Sequence, residues 1–154
     1  MDGESLETWL HAAAPGTAAV LGRAFHASLF LQRAFERQPQ WARQMLETGG
    51  FESRPQTPVA QRLRACVDEA ANYAAVRRLL RQFRQRELAR LALRDIAGWA
   101  PLDENLHALS DLADAACQTA LEWARKELAR RSHDIAEAAV PIVLGLGKLG
   151  GREL

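Results

Sequence analysis

Pro141-Ile142-Val143-Leu144-Gly145-Leu146-Gly147-Lys148-Leu149-Gly150-Gly151-Arg152-Glu153-Leu154 is the stretch in which the helical patterning of this chain gives way to something else. A proline opens a β-branched run, where it removes no essential ladder hydrogen bond, and the run breaks into glycines carrying a single lysine. The spacing predicts a strand followed by a turn. Glycines lack Cβ and accept positive φ, so the backbone N–H groups of such a turn can come close to a phosphate. The fold class expected is therefore mainly α: a helical region over 1–138 leading into the first strand of a mixed α+β core over 139–154.

Upstream of this stretch nearly everything reads helical, with no internal repeat and no low-complexity tract. Leu6 to Ala14 suits a short helix stopped by the turn pair Pro15-Gly16. Thr17 is a candidate cap for a helix running to about Arg37, which would bury Val20, Leu21, Ala24, Phe25, Leu31 and Phe35. Pro39 fits the first position of a helix bearing Trp41, Met45 and Leu46, which Gly49-Gly50 would end. Thr57-Pro58 is a clear restart, and Val59, Leu63, Cys66, Val67 and Ala70 then share one helical face. The helix, or a pair kinked near Asn72, continues to Gly98. Within it Glu87, Arg90 and Arg94 fall in line with Val76, Leu80 and Phe83, on a face that should be buried. Charged residues there need partners or an opening. Glu87 and Arg90 are three apart and suit a direct pair; the other reading is an arginine reaching a site for an anionic group.

Pro101-Leu102-Asp103 separates that helix from the next, in which Leu102, Leu106, Leu109, Ala113, Ala116, Cys117, Ala120, Leu121, Ala124 and Leu128 form an apolar stripe. This places Cys117 inside and His107 at the surface. From Arg130 to Ala138 the stripe is lost, as in a linker or a frayed end.

The composition is that of an ordinary globular chain: 154 residues, 48% hydrophobic and 25% charged, with a formal net charge of +1. No apolar run approaches the length of a membrane span and the N-terminus has no signal-peptide pattern, so a cytoplasmic protein without a membrane partner is expected; a nucleic-acid partner is not expected either. Cys66 and Cys117 have no CxxC spacing, and the four histidines are scattered; no metal ligand and no catalytic side chain is assigned among the residues present. The charge is uneven, with nine arginines from Arg62 to Arg94 against Asp68, Glu69 and Glu87. Such a segment is either a solvated helix face or a basic face of the kind that meets nucleic acid, a nucleotide or an acidic protein surface.

Spacing alone leaves the glycine turn with several readings. Gly145-x-Gly147-x-x-Gly150 satisfies the dinucleotide fingerprint after a predicted strand, which keeps an oxidoreductase piece in view. A Walker A loop fits worse, because Leu149 stands where Ser or Thr should hold magnesium. A glycine-rich bend without any ligand is the remaining reading.

Residue identity goes further than spacing. Val143 to Leu154, with Gly147-Lys148-Leu149-Gly150-Gly151-Arg152-Glu153-Leu154 at its centre, resembles the opening of the catalytic motif in the glutamine synthetase adenylyltransferase/adenylyl-removing enzyme family. Leu80 to Asp95 is similar to that family's arginine-rich helix, and Leu109-Ser110-Asp111-Leu112-Ala113-Asp114 resembles its Leu-Ser-x-Leu-Ala motif. Ser28-Leu29-Phe30, Pro39, Trp41 and Leu46 resemble its N-terminal helices. The likeness covers about residues 25 to 154 and points to the N-terminal, adenylyl-removing half.

The resemblance implies a nucleotidyltransferase whose α+β core begins at 139–154. It moves AMP between ATP or ADP and a tyrosine of glutamine synthetase, with the PII signalling protein as a regulatory partner. It also implies that Gly150 and Gly151 hold phosphate, with Gly147 and Lys148 as helpers through N–H and ammonium, and that Mg2+ sits on a Ser-Asp-x-Asp segment a few residues further on. No residue present supplies that carboxylate pair, so the chain by itself is expected to be a catalytically silent N-terminal fragment whose last ten or so residues are mobile. The alternative from a different class is a stand-alone helical interaction module using the basic face.

Overall fold

The computed structural model describes residues 6–68, 70–131 and 141–154. Among them are seven helices: α1 (Leu6–Ala12), α2 (Pro15–Ala27), α3 (Leu29–Arg37), α4 (Pro39–Glu47), α5 (Val59–Asp68), α6 (Tyr73–Ala97) and α7 (Leu102–Arg131). The chain divides into two compact units, one of Met1–Gln56 with Gln85–Asn105 and one of Thr57–Arg84 with Leu106–Leu154.

The first unit is built on aromatic packing. Phe35 lies between Trp9 (ring centroids 5.4 Å), Phe25 (4.8 Å) and Phe51 (5.4 Å, stacked), all almost fully buried. Val20, Leu21, Ala24 and Leu31 complete this core, and Ala89 and Leu93 of α6 close it. Burying a phenylalanine stabilises by roughly 1.5–3 kcal/mol, so these rings dominate the unit's energetics. The six apolar residues expected to be buried between Val20 and Phe35 are all buried.

The single helix expected to run to Arg37 is two helices. Ser28 adopts an extended conformation (φ −142, ψ 101) and its hydroxyl accepts the Leu31 N–H at 3.4 Å, so it caps α3 instead of continuing α2. Gln32 Nε2 donates to the Phe25 carbonyl at 2.6 Å and satisfies a C-terminal carbonyl of α2. Thr17 is not a cap either: Pro15 begins α2 and Thr17 lies buried in its first turn, donating its hydroxyl to Glu52. Because proline at the first helical position carries no N–H to satisfy, α2 starts three residues earlier than a Thr17 cap would place it. Pro39 at the start of α4 and the stop at Gly49 (φ 64) are as expected.

Arg94 is almost fully buried in this unit. Its Nη1 donates to the carbonyls of Phe51 (3.3 Å) and Glu52, and its Nη2 to the Trp99 carbonyl (3.4 Å) and to Glu104 (3.0 Å). Arg90 Nη2 pairs with Glu87 Oε2 at 3.1 Å, both side chains being less than a tenth exposed. The charged row on the buried face is thus internal scaffolding. Arg94 ties down the loop that presents Phe51 and does not open onto an anion site.

The second unit packs α5, the first part of α6 and most of α7. Leu63, Val67, Val76 and Ala115 form its core, with Leu79, Leu80, Phe83 and Trp123 partly buried against them. The break expected near Asn72 is there, and Asn72 Oδ1 accepts the Ala75 N–H at 3.0 Å as the cap of α6. Arg64 bridges to Glu122 with contacts of 2.9 and 2.7 Å. That hydrogen bonding, followed by the Coulombic attraction of the same carboxylate, raises the Arg64 pKa above its ordinary value.

On α7 the buried face differs from the expected stripe. Leu112, Ala115 and Thr119 are buried, as are Asn105 and Ser110, whereas Leu102 (68%) and Leu128 (39%) are exposed. Cys117 is exposed too, contrary to expectation, while His107 is at the surface as expected. The buried set is turned by about 100°, one residue, around the helix. The buried side mixes polar with apolar residues and so is not marked by hydrophobicity alone, and packing of Ala115 against Leu63, Val67 and Val76 of α5 and α6 selects it.

Among the described residues there is no strand. Residues 141–146 carry no regular secondary structure and are exposed, because a β-run forms a strand only where a second strand takes up its N–H and C=O groups. The predicted linker after Arg131 lies outside the described residues. No helix among the described residues is long and apolar enough to cross a membrane.

Candidate functional site

The glycine-rich segment closes on itself as one hydrogen-bonded turn. Gly151 N–H donates to the Gly147 carbonyl at 2.9 Å, Arg152 N–H to Leu149 at 3.2 Å and Glu153 N–H to Lys148 at 2.8 Å. The i+4, i+3 and i+5 spacings are those of a single helical turn ended by a Schellman motif. Donors at the start of such a turn have no carbonyl four residues behind them, so the Lys148, Leu149 and Gly150 amides have no backbone acceptor among the described residues.

The four glycines differ in what they do. Gly147 sits at φ 60, in the left-handed region that a side chain disfavours. A Cβ on Gly150 would come within 2.6 Å of the Gly145 carbonyl oxygen, a backbone atom that cannot move without opening the turn. A Cβ on Gly145 would meet the Leu149 side chain at 3.3 Å. Gly151 is different: its nearest neighbour would be the Gly147 oxygen at an ordinary 3.5 Å. Gly147 and Gly150 therefore make the turn possible, whereas nothing in the turn itself requires glycine at 151. Lys148 is exposed.

Sequence reasoning missed what the turn rests on. Arg152 Nη1 reaches Asp114 Oδ2 at 3.5 Å, and its Nη2 pairs with Asp111 Oδ1. Both aspartates lie on α7, one helical turn apart, within the motif Leu109–Asp114. The two segments singled out separately in the sequence thus touch through three side chains, each about half exposed. The available signal was an i,i+3 acid pair together with an arginine inside the glycine motif. Nothing in the sequence pointed across the 38 and 41 residues between them.

Among the described residues no group of three or more His, Cys, Asp and Glu side chains is arranged to hold a metal ion. Asp111 and Asp114 are engaged by Arg152, and Leu149 offers no ligand. These residues do not fit a magnesium site. What the turn can do by itself is present backbone N–H groups and one ammonium to an anion.

The arginine-rich segment is largely used internally. Arg64, Arg90 and Arg94 are in ion pairs, Arg86 donates to Gln38, and the Arg62 guanidinium lies 5.5 Å from the centroid of the Phe83 ring. Arg77, Arg78, Arg81 and Arg84 are exposed on α6, Arg77 with its guanidinium 5.5 Å from the centroid of the Tyr73 ring.

Comparison with known proteins bears on this turn directly, since the matching region includes it. The family model described as glutamate-ammonia ligase adenylyltransferase matches residues 18–154. A bifunctional glutamine synthetase adenylyltransferase/adenylyl-removing enzyme of Thioalkalivibrio sulfidiphilus is 37% identical over 159 residues, covering 99% of this chain and 16% of the relative. Proteins of the same description from Nitrosococcus oceani (46% over 81 residues; 49% of this chain, 8% of the relative) and Methylococcus capsulatus (38% over 107 residues; 67% and 11%) are also similar. The chain thus spans at most about a sixth of the length of these curated relatives. No solved structure matches it.

Proposed function

This chain belongs to the glutamate-ammonia ligase adenylyltransferase family, and we propose that it provides the helical lead-in and the phosphate-holding turn of an enzyme that moves AMP on and off a tyrosine of glutamine synthetase. The observation that carries this reading is the division of labour among the glycines. Gly147 and Gly150 are required by the turn's own backbone, while Gly151 is free of any internal requirement and lies beside amides that have no backbone acceptor among the described residues, as a glycine does where a ligand must approach closely.

In this reading Gly147, Lys148, Gly150 and Gly151 receive the phosphate. The amides of Lys148, Leu149 and Gly150 donate to its oxygens, and the Lys148 ammonium neutralises charge as the reaction proceeds. In the adenylyl-removing direction an oxygen of inorganic phosphate attacks the phosphorus of the AMP-tyrosyl group. The bond to the tyrosine oxygen breaks, that oxygen takes up a proton, and ADP leaves. Making that bond is a separate reaction, assigned to the family's opposite half: the tyrosine oxygen loses its proton and attacks the α-phosphorus of ATP, and pyrophosphate leaves. Residues 141–146 become the first strand of the α+β core when a second strand pairs with them.

Magnesium belongs to the reading through the family resemblance alone. The described residues offer it no ligand set, so no step is assigned to it, and the chain by itself is expected to be inactive. Glutamine synthetase is the partner this reading requires. Regulation by the PII protein and a cytoplasmic location are part of the same reading.

The test is to read the gene past the codon for Leu154 and assay the encoded enzyme. An acidic pair one residue apart close behind Glu153, with phosphate-dependent ADP release from adenylylated glutamine synthetase, is the expected result. Gly151→Val should abolish that release while leaving helix content unchanged. A reading frame without such a pair overturns the proposal. A second reading rests on the exposed row Arg77, Arg81 and Arg84, which suits an acidic protein surface. It predicts salt-sensitive binding to glutamine synthetase that Arg81→Glu weakens and Gly151→Val does not.

A further inference from the structure

Three chain reversals in this molecule share one hydrogen-bond pattern. After α4, Gly50 N–H donates to Met45 at 2.9 Å and Gly49 N–H to Leu46 at 3.4 Å; after α6, Trp99 N–H donates to Arg94 at 2.9 Å and Gly98 N–H to Asp95 at 3.0 Å. In the glycine turn Glu153 donates to Lys148 at 2.8 Å and Arg152 to Leu149 at 3.2 Å. Each pattern places one residue in the left-handed region. Gly49 (φ 64) and Gly98 (φ 69) fill two of these positions, and Arg152 (φ 58) fills the third.

A β-carbon is disfavoured at that position, so something must hold Arg152 there. Its two terminal nitrogens each reach a different carboxylate of α7: Nη2 pairs with Asp111, and Nη1 with Asp114 at 3.5 Å. A planar guanidinium fork spans two such acceptors, which a lysine ammonium does not do in the same geometry. We infer that Arg152 is a positioning residue, gripped by Asp111 and Asp114 so that the glycine turn is docked on α7 and its amides are fixed in place. This rests on the phosphate-holding reading for its purpose, though not for its geometry.

The inference carries an unusual sign. Asp111 and Asp114 put two negative charges near a turn meant for an anion, so electrostatics alone says that removing them strengthens phosphate binding. If they act by holding Arg152, removing them weakens it. Arg152 variants do not separate these accounts, since loss of a cation weakens anion binding either way; the aspartates do.

The experiment follows the amide resonances of Gly147, Gly150 and Gly151 in the 154-residue chain, with inorganic phosphate as the probe. Asp111→Asn/Asp114→Asn should move all three resonances, leave helix content unchanged, and weaken phosphate binding about threefold or more. Arg152→Gly, which suits the left-handed backbone better, should move the same resonances. In the unsubstituted chain 1 M NaCl should reproduce the shifts, because half-exposed ion pairs are screened. Unmoved glycine resonances in the aspartate variant, or tighter phosphate binding, would overturn the inference. If the resonances respond as expected but the unsubstituted chain binds no phosphate, the docking stands and the phosphate-holding reading falls.

Discussion

Arg94 Nη2 meets Glu104 Oε1 at 3.0 Å while Nη1 of the same guanidinium holds the carbonyls of Phe51 and Glu52, so one buried cation joins the end of α6, the start of α7 and the loop after α4. Replacing Arg94 by methionine keeps much of the stem but leaves the carbonyls of Phe51, Glu52 and Trp99 without this donor. Loss of a buried charged partner costs roughly 3–5 kcal/mol, and urea denaturation should show a drop of about that size. Glu104→Gln keeps an acceptor at a partly exposed site and should cost about 1 kcal/mol. Equal losses in the two variants would contradict the assignment of the carbonyls to Arg94.

Glu87 and Arg90 pair at 3.1 Å in the interior, so the two ends of the pair should behave non-additively. Glu87→Leu alone is expected to cost about 3 kcal/mol because it strips a buried guanidinium of its carboxylate. In Glu87→Leu/Arg90→Met part of that loss should be recovered, since the apolar pair removes both charges together. A double-mutant cycle on thermal or chemical unfolding measures the coupling directly.

Phe35 sits among Trp9, Phe25 and Phe51, and Phe35→Ala should cost about 3–5 kcal/mol, as large-to-small changes in tight aromatic cores do. Trp9 makes an edge contact with the same ring, so its near-ultraviolet circular dichroism and fluorescence should change together with stability. A cost below about 1 kcal/mol would mean that the ring cluster is not the core of the first unit.

The glycines of the turn should separate by mechanism. Gly150→Ala forces a Cβ against the Gly145 oxygen and should break the Lys148–Glu153 backbone hydrogen bond, speeding exchange of the Glu153 amide. Gly151→Ala meets only ordinary contacts and should leave that amide as it was. At the helix ends, Gly49→Ala and Gly98→Ala should each cost about 1–2 kcal/mol, because alanine at positive φ is strained.

The helical character of the chain was legible because local signals agreed with packing. Pro39, Gly49 and the break near Asn72 act through backbone chemistry that needs no tertiary partner. The charged row at Glu87, Arg90 and Arg94 was visible as an anomaly, and its direct-pair reading is the one observed for Glu87 and Arg90. Where the sequence misled, the deciding force was long-range. Ser28 is compatible with a helix interior or a cap, and only the packing of α2 against α3 selects the cap. On α7 the buried face is the one centred on Leu112 and Ala115, whose polar members Asn105 and Thr119 hide it from a hydrophobic pattern. The glycine turn could be recognised from its residues, but its contact with Asp111 and Asp114 links positions 41 and 38 residues apart that no local pattern connects.

The exposed thiol of Cys117 has a practical use. It lies one helical turn beyond Asp114, about 4.5 Å further along the α7 axis and about 60° around the helix from it. A nitroxide attached there would broaden nearby resonances in proportion to proximity, giving a ruler for the distance between α7 and the glycine segment without introducing any new residue.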